Sequence, residues 1–282
     1  MNKVYSPKEL SEAFQILNSY QPLKIVAGGT DLMVGYNSGM PVPDQLLNLW
    51  KLDELRHIDE YPSLLKIGAL CTYTQLIKDE RVRKYAPTLV DAAKTIGAMQ
   101  IQNRGTLGGN IVNASPAGDC LPVLAAFDAV IEIGSVRGLR QVPFTDFYTG
   151  YRQTVLAEDE MVTNILLPKQ KTEESAKFYK VGTRAAQAIS KVMMSVRASI
   201  DAQKCVKEIA IAVGSVAPTV IRTRLTEMAI RGLIIDESLI ATARKEMMEE
   251  VRPITDIRSN EHYRRTVSGN LIAKFLRENY LA

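Results

Sequence analysis

Apolar and polar residues recur along the chain with two different periods, one typical of helices and one typical of strands. Apolar residues three and four positions apart predict helices over residues 6–19, 74–78, 86–96 and 121–127. Short apolar runs bounded by turn residues predict strands over residues 24–27, 46–49 and 64–70, and a hairpin of residues 130–133 and 138–142 around Gly134 and Ser135. The first part of the chain therefore mixes short strands with short helices.

The last third of the chain has a simpler order. Alternating apolar residues predict three strands, over residues 176–181, 192–200 and 209–216. Helical spacing then predicts three helices, over residues 223–231, 237–250 and 261–278. Strands that are followed by helices, instead of alternating with them, are typical of the α+β class. The charged stretch KQKTEES at residues 169–175 separates the two parts and is a candidate subdomain boundary.

Two glycine-rich segments interrupt these patterns. The first, GGTD at residues 28–31, follows the predicted strand 24–27, and a helix should begin after it, with Thr30 and Asp31 capping the amides of its first turn. The second, residues 97–119, is polar and weakly periodic, and it is longer than a plain connection. Long loops of this kind often carry function, so both segments are candidate ligand sites.

The composition of the two segments suits an anion with attached sugar. Adjacent glycines, as at Gly28 and Gly29, let backbone amides approach a phosphate closely, and Asp31 and Asp119 are acceptors for sugar hydroxyls. Neutral donors stand in the same segments, at Thr30, Thr106, Asn110 and Ser115. Neither segment fits the dinucleotide pattern GxGxxG or the phosphate loop GxxxxGK[ST]. The spacing leaves two interpretations open, a ligand site and two tight structural turns.

Charge and cysteine usage exclude several classes of function. The 282 residues include 35 Lys and Arg and 31 Asp and Glu, which gives a net charge of +4. They contain no cluster of basic residues of the kind that binds nucleic acid. The three cysteines stand far apart without a CxxC spacing, and the two histidines lack metal-binding neighbours. We therefore expect neither a nucleic-acid partner nor a metal held by this chain.

No segment of the sequence has the pattern of a membrane span. The longest apolar stretch, residues 121–133, is interrupted by Asp128 and is shorter than the roughly 20 residues that a span requires. The start, MNKVYSPKEL, turns polar before the apolar core of a secretory signal could form. These patterns predict a cytoplasmic protein without a membrane span.

The two glycine segments resemble the FAD-binding medium subunit of the molybdenum hydroxylase family, which includes the carbon monoxide dehydrogenase medium subunit and the xanthine dehydrogenase FAD subunit. The matching phrases are IVAGGTDL at residues 25–32 and GAMQIQNRGTLGGNIVNASPAGD at residues 97–119. The resemblance continues through GSVAP at residues 214–218 and DIRSNEHYR at residues 256–264, and it covers nearly the whole chain. The sequence departs from the family at Gln102, where arginine is usual.

This resemblance implies a particular fold. It is an α+β FAD-binding fold of the vanillyl-alcohol-oxidase (PCMH) type with a C-terminal subdomain of three strands and three helices. The expected division is an FAD-binding subdomain 1 at residues 1–57, an FAD-binding subdomain 2 at residues 58–172, and a C-terminal domain like that of carbon monoxide dehydrogenase flavoproteins at residues 173–282.

The resemblance also implies a function and partners. The chain would be the FAD-carrying electron-transfer subunit of a heteromeric molybdenum hydroxylase, with a molybdenum-cofactor large subunit and a [2Fe-2S] small subunit. It would take electrons from the [2Fe-2S] subunit and pass them to NAD or another acceptor. The sequence has no convincing set of catalytic side chains, as expected when a flavin performs the redox step. Two alternatives stay open, a non-enzymatic nucleotide-binding or assembly scaffold and a free-standing flavin oxidoreductase.

Site residues follow from the resemblance position by position. The stretch that wraps the FAD pyrophosphate comprises Ile25, Val26, Ala27, Gly28, Gly29, Thr30, Asp31 and Leu32. The residues expected at the pyrophosphate and the ribityl-side hydroxyls are Thr106, Gly108, Gly109, Asn110, Ser115 and Asp119. Ile96 and Val162 match positions that pack near the flavin, and Lys180 matches a lysine close to the isoalloxazine. Tyr151 and Arg152 match a pair on the nicotinamide-facing side.

Overall fold

The computed structural model describes residues 3–184 and 187–280, which contain three main sheets and their helices. The first sheet has the order β1-β3-β2, and both outer strands run parallel to the middle one. Its strands are β1 (Lys3–Tyr5), β2 (Lys24–Val26) and β3 (Gln45–Asn48). The helices that connect them are α1 (Leu10–Ser19) and α2 (Leu32–Asn37). Parallel pairing brings the carboxyl ends of β2 and β3 to one edge of the sheet.

The beginning of the chain differs from the sequence prediction in two ways. Helix α1 begins at Leu10 and not at residue 6, because residues 3–5 pair with β3 and Glu9 still has extended backbone angles. The amide of Leu10 donates to the carboxylate of Glu54 at 2.7 Å. Helix α2 has no side-chain cap, since Asp31 already adopts helical angles. The prediction that Thr30 and Asp31 cap α2 is therefore wrong.

The second sheet is antiparallel, with the order β4-β5-β10-β6-β7. Its strands, together with the separate β8–β9 ribbon, are β4 (Ile58–Glu60), β5 (Leu64–Gly68), β6 (Val130–Ser135), β7 (Gly138–Pro143), β8 (Tyr148–Gly150), β9 (Gln153–Thr154) and β10 (Met161–Pro168). The predicted hairpin is confirmed, but its turn lies at Val136 and Arg137, because Ser135 still pairs with Gly138.

Six short helices stand between β5 and β6. They are α3 (Tyr73–Lys78), α4 (Glu80–Tyr85), α5 (Pro87–Lys94), α6 (Met99–Gln102), α7 (Leu107–Val112) and α8 (Leu121–Ala126). Helices α6 and α7 lie within the polar segment 97–119, where the sequence predicted no regular structure. This insertion brings the second glycine pair next to the end of β5.

The third sheet confirms the α+β reading of the C-terminal part. Its antiparallel strands are β11 (Glu174–Val181), β12 (Val192–Ile200), β13 (Val206–Gly214) and β14 (Ile221–Arg222). Three helices follow, α9 (Arg224–Ile230), α10 (Glu237–Glu250) and α11 (Glu261–Tyr280). The two-residue strand β14 is additional to the three predicted strands, and it is too short to produce an alternating pattern.

Both faces of the third sheet are buried, which explains the nearly continuous apolar sequences of β12 and β13. Met194 and Val196 of β12 belong to the apolar core that includes residues of α10 and α11. Met193, Phe178 and Ala212 belong instead to the core of the second sheet and its helices. The third sheet is thus packed directly against the part of the chain that carries the second glycine segment.

The division into residues 1–57, 58–172 and 173–282 remains a prediction, and the separate sheets favour it. Residues 1–2, at the start of the first part, and residues 281–282, at the end of the third, lie outside the described residues, as do residues 185–186. Among the described helices, none combines the length and apolar character needed to cross a membrane.

Candidate functional site

The two glycine segments meet, although they are far apart in the sequence. A Cβ atom on Gly28 would lie 1.8 Å from the carbonyl oxygen of Arg104, so only glycine allows this approach. Gly29 next to it has a φ of +76°, which is also a glycine conformation. At the end of β2 the carbonyl oxygen of Val26 accepts a hydrogen bond from the amide of Leu49 at 2.9 Å. The first bend is therefore fixed between β3 and the second glycine segment.

The second glycine pair opens helix α7 against the end of β5. The amide of Gly108 donates to the carbonyl oxygen of Ala69 at 2.9 Å, and a Cβ on Gly108 would lie 2.7 Å from the same oxygen. The amide of Gly109 donates to the hydroxyl oxygen of Thr106 at 3.1 Å, which caps the helix. Both amides are therefore engaged within the protein. Glycine is required at position 108 because a Cβ atom there would clash with Ala69. Gly109, in contrast, is exposed and lines the cleft.

Between the two segments lies a cleft of about 350 Å³, within the range of small-molecule sites. The predicted site residues that line it are Ile25, Ala27, Gly28, Gly29, Thr30, Asp31, Leu32, Ile96, Thr106, Gly108, Gly109, Asn110 and Val162. Residues that sequence reasoning missed also line it, among them Leu49, Leu55, Tyr73, Ile101, Asn113 and Met161. Leu49 could have been found from parallel pairing of the first two predicted strands, because the carboxyl ends of parallel strands share an edge.

One polar group in the cleft wall lacks a partner. The side-chain oxygen Oδ1 of Asn110 is buried and accepts no hydrogen bond from the described residues. Buried polar atoms are usually paired, so an unpaired one in a cleft indicates a place for a donor on a ligand. Tyr73 also lines the cleft, and burial raises the pKa of its hydroxyl well above the ordinary value, which keeps it neutral.

Four predicted site residues do not line this cleft. Val26 lies in β2 opposite Asn48, and the hydroxyl of Ser115 accepts a hydrogen bond from the amide of Ala117 within a turn. The other two, Asp119 and Lys180, contact each other instead. The roles of these four residues at a cofactor therefore stay predictions.

Asp119 and Lys180 form a largely buried ion pair. The ammonium of Lys180 lies 2.6 Å from Oδ2 of Asp119 and donates to the carbonyl oxygen of Thr95 at 3.0 Å. Burial raises the pKa of the Asp119 carboxyl to about 6, against the opposing effect of the Lys180 charge. The other carboxylate oxygen, Oδ1, has no hydrogen-bond partner among the described residues. Asp119 is therefore ionised at neutral pH and retains one free acceptor atom.

Lys180 also lines a second cavity of about 240 Å³. Thr95 lines this smaller cavity, and the next residue, Ile96, lines the larger cleft. The cavity and the cleft are therefore neighbours. The remaining walls come from Asp91, Phe178, Gly182, Arg184, Gln187 and Ala188. The third sheet thus contributes a lysine beside the site that the first two sheets build.

Of Tyr151 and Arg152, only Arg152 contacts a residue of the cleft wall. Arg152 has a φ of +54°, unusual for a residue with a side chain, and its guanidinium donates to Oδ1 of Asn113 at 3.0 Å. Asn113 lines the cleft, whereas the Tyr151 side chain is exposed. Both side chains are exposed, and their expected place on the nicotinamide-facing side stays a prediction.

These features fit a dinucleotide cofactor such as FAD. A backbone bend without side chains can accept a diphosphate, the unpaired oxygen of Asn110 is an acceptor for a ligand hydroxyl or amide group, and apolar walls suit a flat ring system.

Comparison with known families agrees with this chemistry. Residues 1–170 match the family described as FAD binding domain in molybdopterin dehydrogenase. Residues 177–279 match the family described as CO dehydrogenase flavoprotein C-terminal domain.

Individual relatives cover most of the chain. It is similar to the nicotinate dehydrogenase FAD-subunit of Eubacterium barkeri, with 36% identity over 70% of this chain and 68% of the relative. The xanthine dehydrogenase FAD-binding subunit of Escherichia coli O157:H7 is 29% identical over 95% of this chain and 92% of its own. A solved chain of carbon monoxide dehydrogenase from Hydrogenophaga pseudoflava superimposes with a TM-score of 0.92 at 27% identity, over 97% of this chain and 95% of that one.

Proposed function

The chain belongs to the family of FAD-binding domains of molybdopterin dehydrogenases, and from this premise we propose that it passes electrons between a [2Fe-2S] subunit and a terminal acceptor. It is an FAD subunit of the xanthine and carbon monoxide dehydrogenase type, and hence an oxidoreductase flavoprotein. FAD supplies the redox chemistry when it is bound, which leaves binding, orientation and tuning to the protein.

The contact between Gly28 and the Arg104 carbonyl is the observation that carries this proposal. It brings the two glycine segments together at one cleft, which Thr106 and Asn110 of the second segment also line. In this proposal the first bend takes the diphosphate. Ile96 and Val162 contribute apolar side chains to the cleft walls.

The proposal includes partners and an acceptor. We assign the electron donor to a [2Fe-2S] small subunit and substrate oxidation to a molybdenum-cofactor large subunit. The terminal acceptor is NAD or another small oxidant, and the complex works in the cytoplasm, where NAD is available. Support comes from relatives that are named as FAD subunits or medium chains of dehydrogenases. No observation favours the scaffold or the free-standing oxidoreductase.

The assembly is tested by tagging the full chain in its native cells and identifying co-purifying proteins by mass spectrometry. We expect a large and a small subunit in stable proportion, a flavin absorption spectrum, and reduction of the flavin when an oxidisable substrate reaches the complex. Adding NAD should then reoxidise the flavin if NAD is the acceptor. A chain that purifies alone, with flavin bound and full turnover without partners, would instead identify a free-standing enzyme.

The ion pair of Lys180 and Asp119 should tune the potential of the bound flavin in opposite directions. Lys180→Met removes a positive charge that favours electron uptake, so we expect a lower midpoint potential, by on the order of tens of millivolts. Asp119→Asn leaves the Lys180 charge without its counterion, so we expect a higher potential. Spectroelectrochemical titration at pH 8, where Asp119 of the wild type is ionised, measures both.

Lys177→Met is the matched control for this experiment. Lys177 lies on the same strand as Lys180, but its side chain is exposed, so the potential should stay that of the wild type. Unchanged potentials in both Lys180→Met and Asp119→Asn would reduce the pair to a structural role between β11 and the second glycine segment.

A further inference from the structure

Trp50, the single tryptophan of the chain, lies just beyond β3 and contacts two guanidinium groups. The central carbon of the Arg56 guanidinium lies 4.1 Å from the centroid of the indole ring, and that of Arg104 lies 3.7 Å away. Both distances are well within the range of cation–π contacts. Trp50 belongs to none of the three apolar cores, and neither it nor the two arginines line the cleft.

The two arginines come from different parts of the structure. Arg56 belongs to the same segment as Trp50, and its guanidinium also donates to the Trp50 carbonyl oxygen. Arg104 belongs to the second glycine segment, and its carbonyl oxygen is the atom against which Gly28 packs. Of the two ring contacts, the one with Arg104 therefore joins the end of the first sheet to the second glycine segment.

Trp50 is also connected to the first glycine bend through the backbone. Leu49, the preceding residue, donates its amide to Val26 at 2.9 Å, and Val26 leads into Gly28 after a single residue. The hydrogen bond between Leu49 and Val26 holds the first glycine bend, and the Trp50 indole holds Arg104 of the second glycine segment. A loss of the indole would release the exposed Arg104 side chain and loosen the backbone contact between Gly28 and Arg104.

We propose that Trp50 is a positioning residue for FAD, which holds Arg104 so that the two glycine bends keep the spacing required for one diphosphate. The inference rests on the proposed role of this cleft in cofactor binding. Trp50 acts through Arg104 and not through its own contact with the cofactor. Because Trp50 lies outside the apolar cores, its removal affects the cleft more than the stability of the fold.

The test is a titration of the FAD-free full chain with FAD, followed by flavin fluorescence. Trp50→Leu should raise the Kd about tenfold, the range that corresponds to one cation–π contact, and Trp50→Phe should recover part of the affinity. Arg104→Gln should weaken binding by a similar factor. The double variant Trp50→Leu with Arg104→Gln should bind no more weakly than either single variant, because both remove the same contact.

Arg56→Gln is the matched control, since it removes the other guanidinium from the same ring. It should leave the Kd within about twofold of the wild type, because Arg56 does not belong to the second glycine segment. A wild-type Kd in Trp50→Leu, or multiplicative losses in the double variant, would overturn the inference and leave the proposed function intact. A wild-type chain that binds no FAD would overturn both. Thermal unfolding of the FAD-free variants, expected near that of the wild type, separates loss of affinity from loss of fold.

Discussion

Gly28→Ala is expected to lose FAD almost completely, with a Kd at least about a hundredfold above that of the wild type. The added methyl group would lie 1.8 Å from the Arg104 carbonyl oxygen, which is a backbone atom that cannot rotate away. The two glycine segments must separate to relieve this clash, and the diphosphate then loses one side of its site. The measurement is the flavin content of the purified protein, followed by titration of the FAD-free form.

Gly35→Ala is the control for this variant. Gly35 lies in α2, a few residues further along the same segment, and the added methyl group would meet only the flexible side chain of Met40. Alanine also favours helix over glycine, so stability and FAD content should stay near those of the wild type. Gly28→Ala with a full complement of flavin would refute the convergence of the two bends. Circular dichroism of the FAD-free protein checks that the fold is retained.

Arg222→Met is expected to have the largest effect on stability. The Arg222 side chain is 5% exposed, and its guanidinium binds both carboxylate oxygens of Glu227, at 2.7 and 3.0 Å. It also contacts Asp128 at 2.6 Å, which joins β14 to the loop after α8. Its removal leaves the buried Glu227 carboxylate with the exposed Arg224 guanidinium, 3.5 Å away, as its remaining cation among the described residues, which costs about 3 to 5 kcal/mol. Thermal unfolding should shift down by on the order of 10 °C.

Arg277→Met tests whether burial is the reason. Arg277 binds both carboxylate oxygens of Glu237, at 3.1 and 2.6 Å, so the geometry of the pair is the same. Both side chains are more than half exposed, however, and exposed pairs contribute little. We expect an unfolding temperature close to that of the wild type. Equal decreases in the unfolding temperature of Arg222→Met and Arg277→Met would show that burial does not strengthen the contribution of the Arg222 ion pairs to stability.

Much of the fold was predictable because its signals are local. Helices α5, α8, α10 and α11 and strands β5 and β12 follow from apolar periodicity over neighbouring residues. The errors occur where a distant partner decides the local conformation. Residues 3–5 form a strand because β3 lies beside them, and α1 is delayed to Leu10 while the backbone remains extended. The two-residue strand β14 likewise exists only through its pairing with β13.

The glycine-segment residues of the cleft were predictable from the sequence, whereas several of its apolar wall residues were not. Most residues of the phrase IVAGGTDL line it, as do Thr106 and Asn110 of the second segment. Leu55 and Met161 had no sequence signal, because ordinary apolar residues become part of a site only through the surfaces they meet. The pairing of Lys180 with Asp119 is of the same kind, since it depends on how the third sheet packs against the second glycine segment.

The sequence by itself determined the α+β class and the two backbone bends without side chains, because glycine and periodicity act through each residue and its neighbours. Only the tertiary structure decided that Arg104 lies against Gly28, that Trp50 holds Arg104, and which cleft residues face one another. Such contacts depend on strand pairing and sheet packing between distant segments, and no local spacing encodes them.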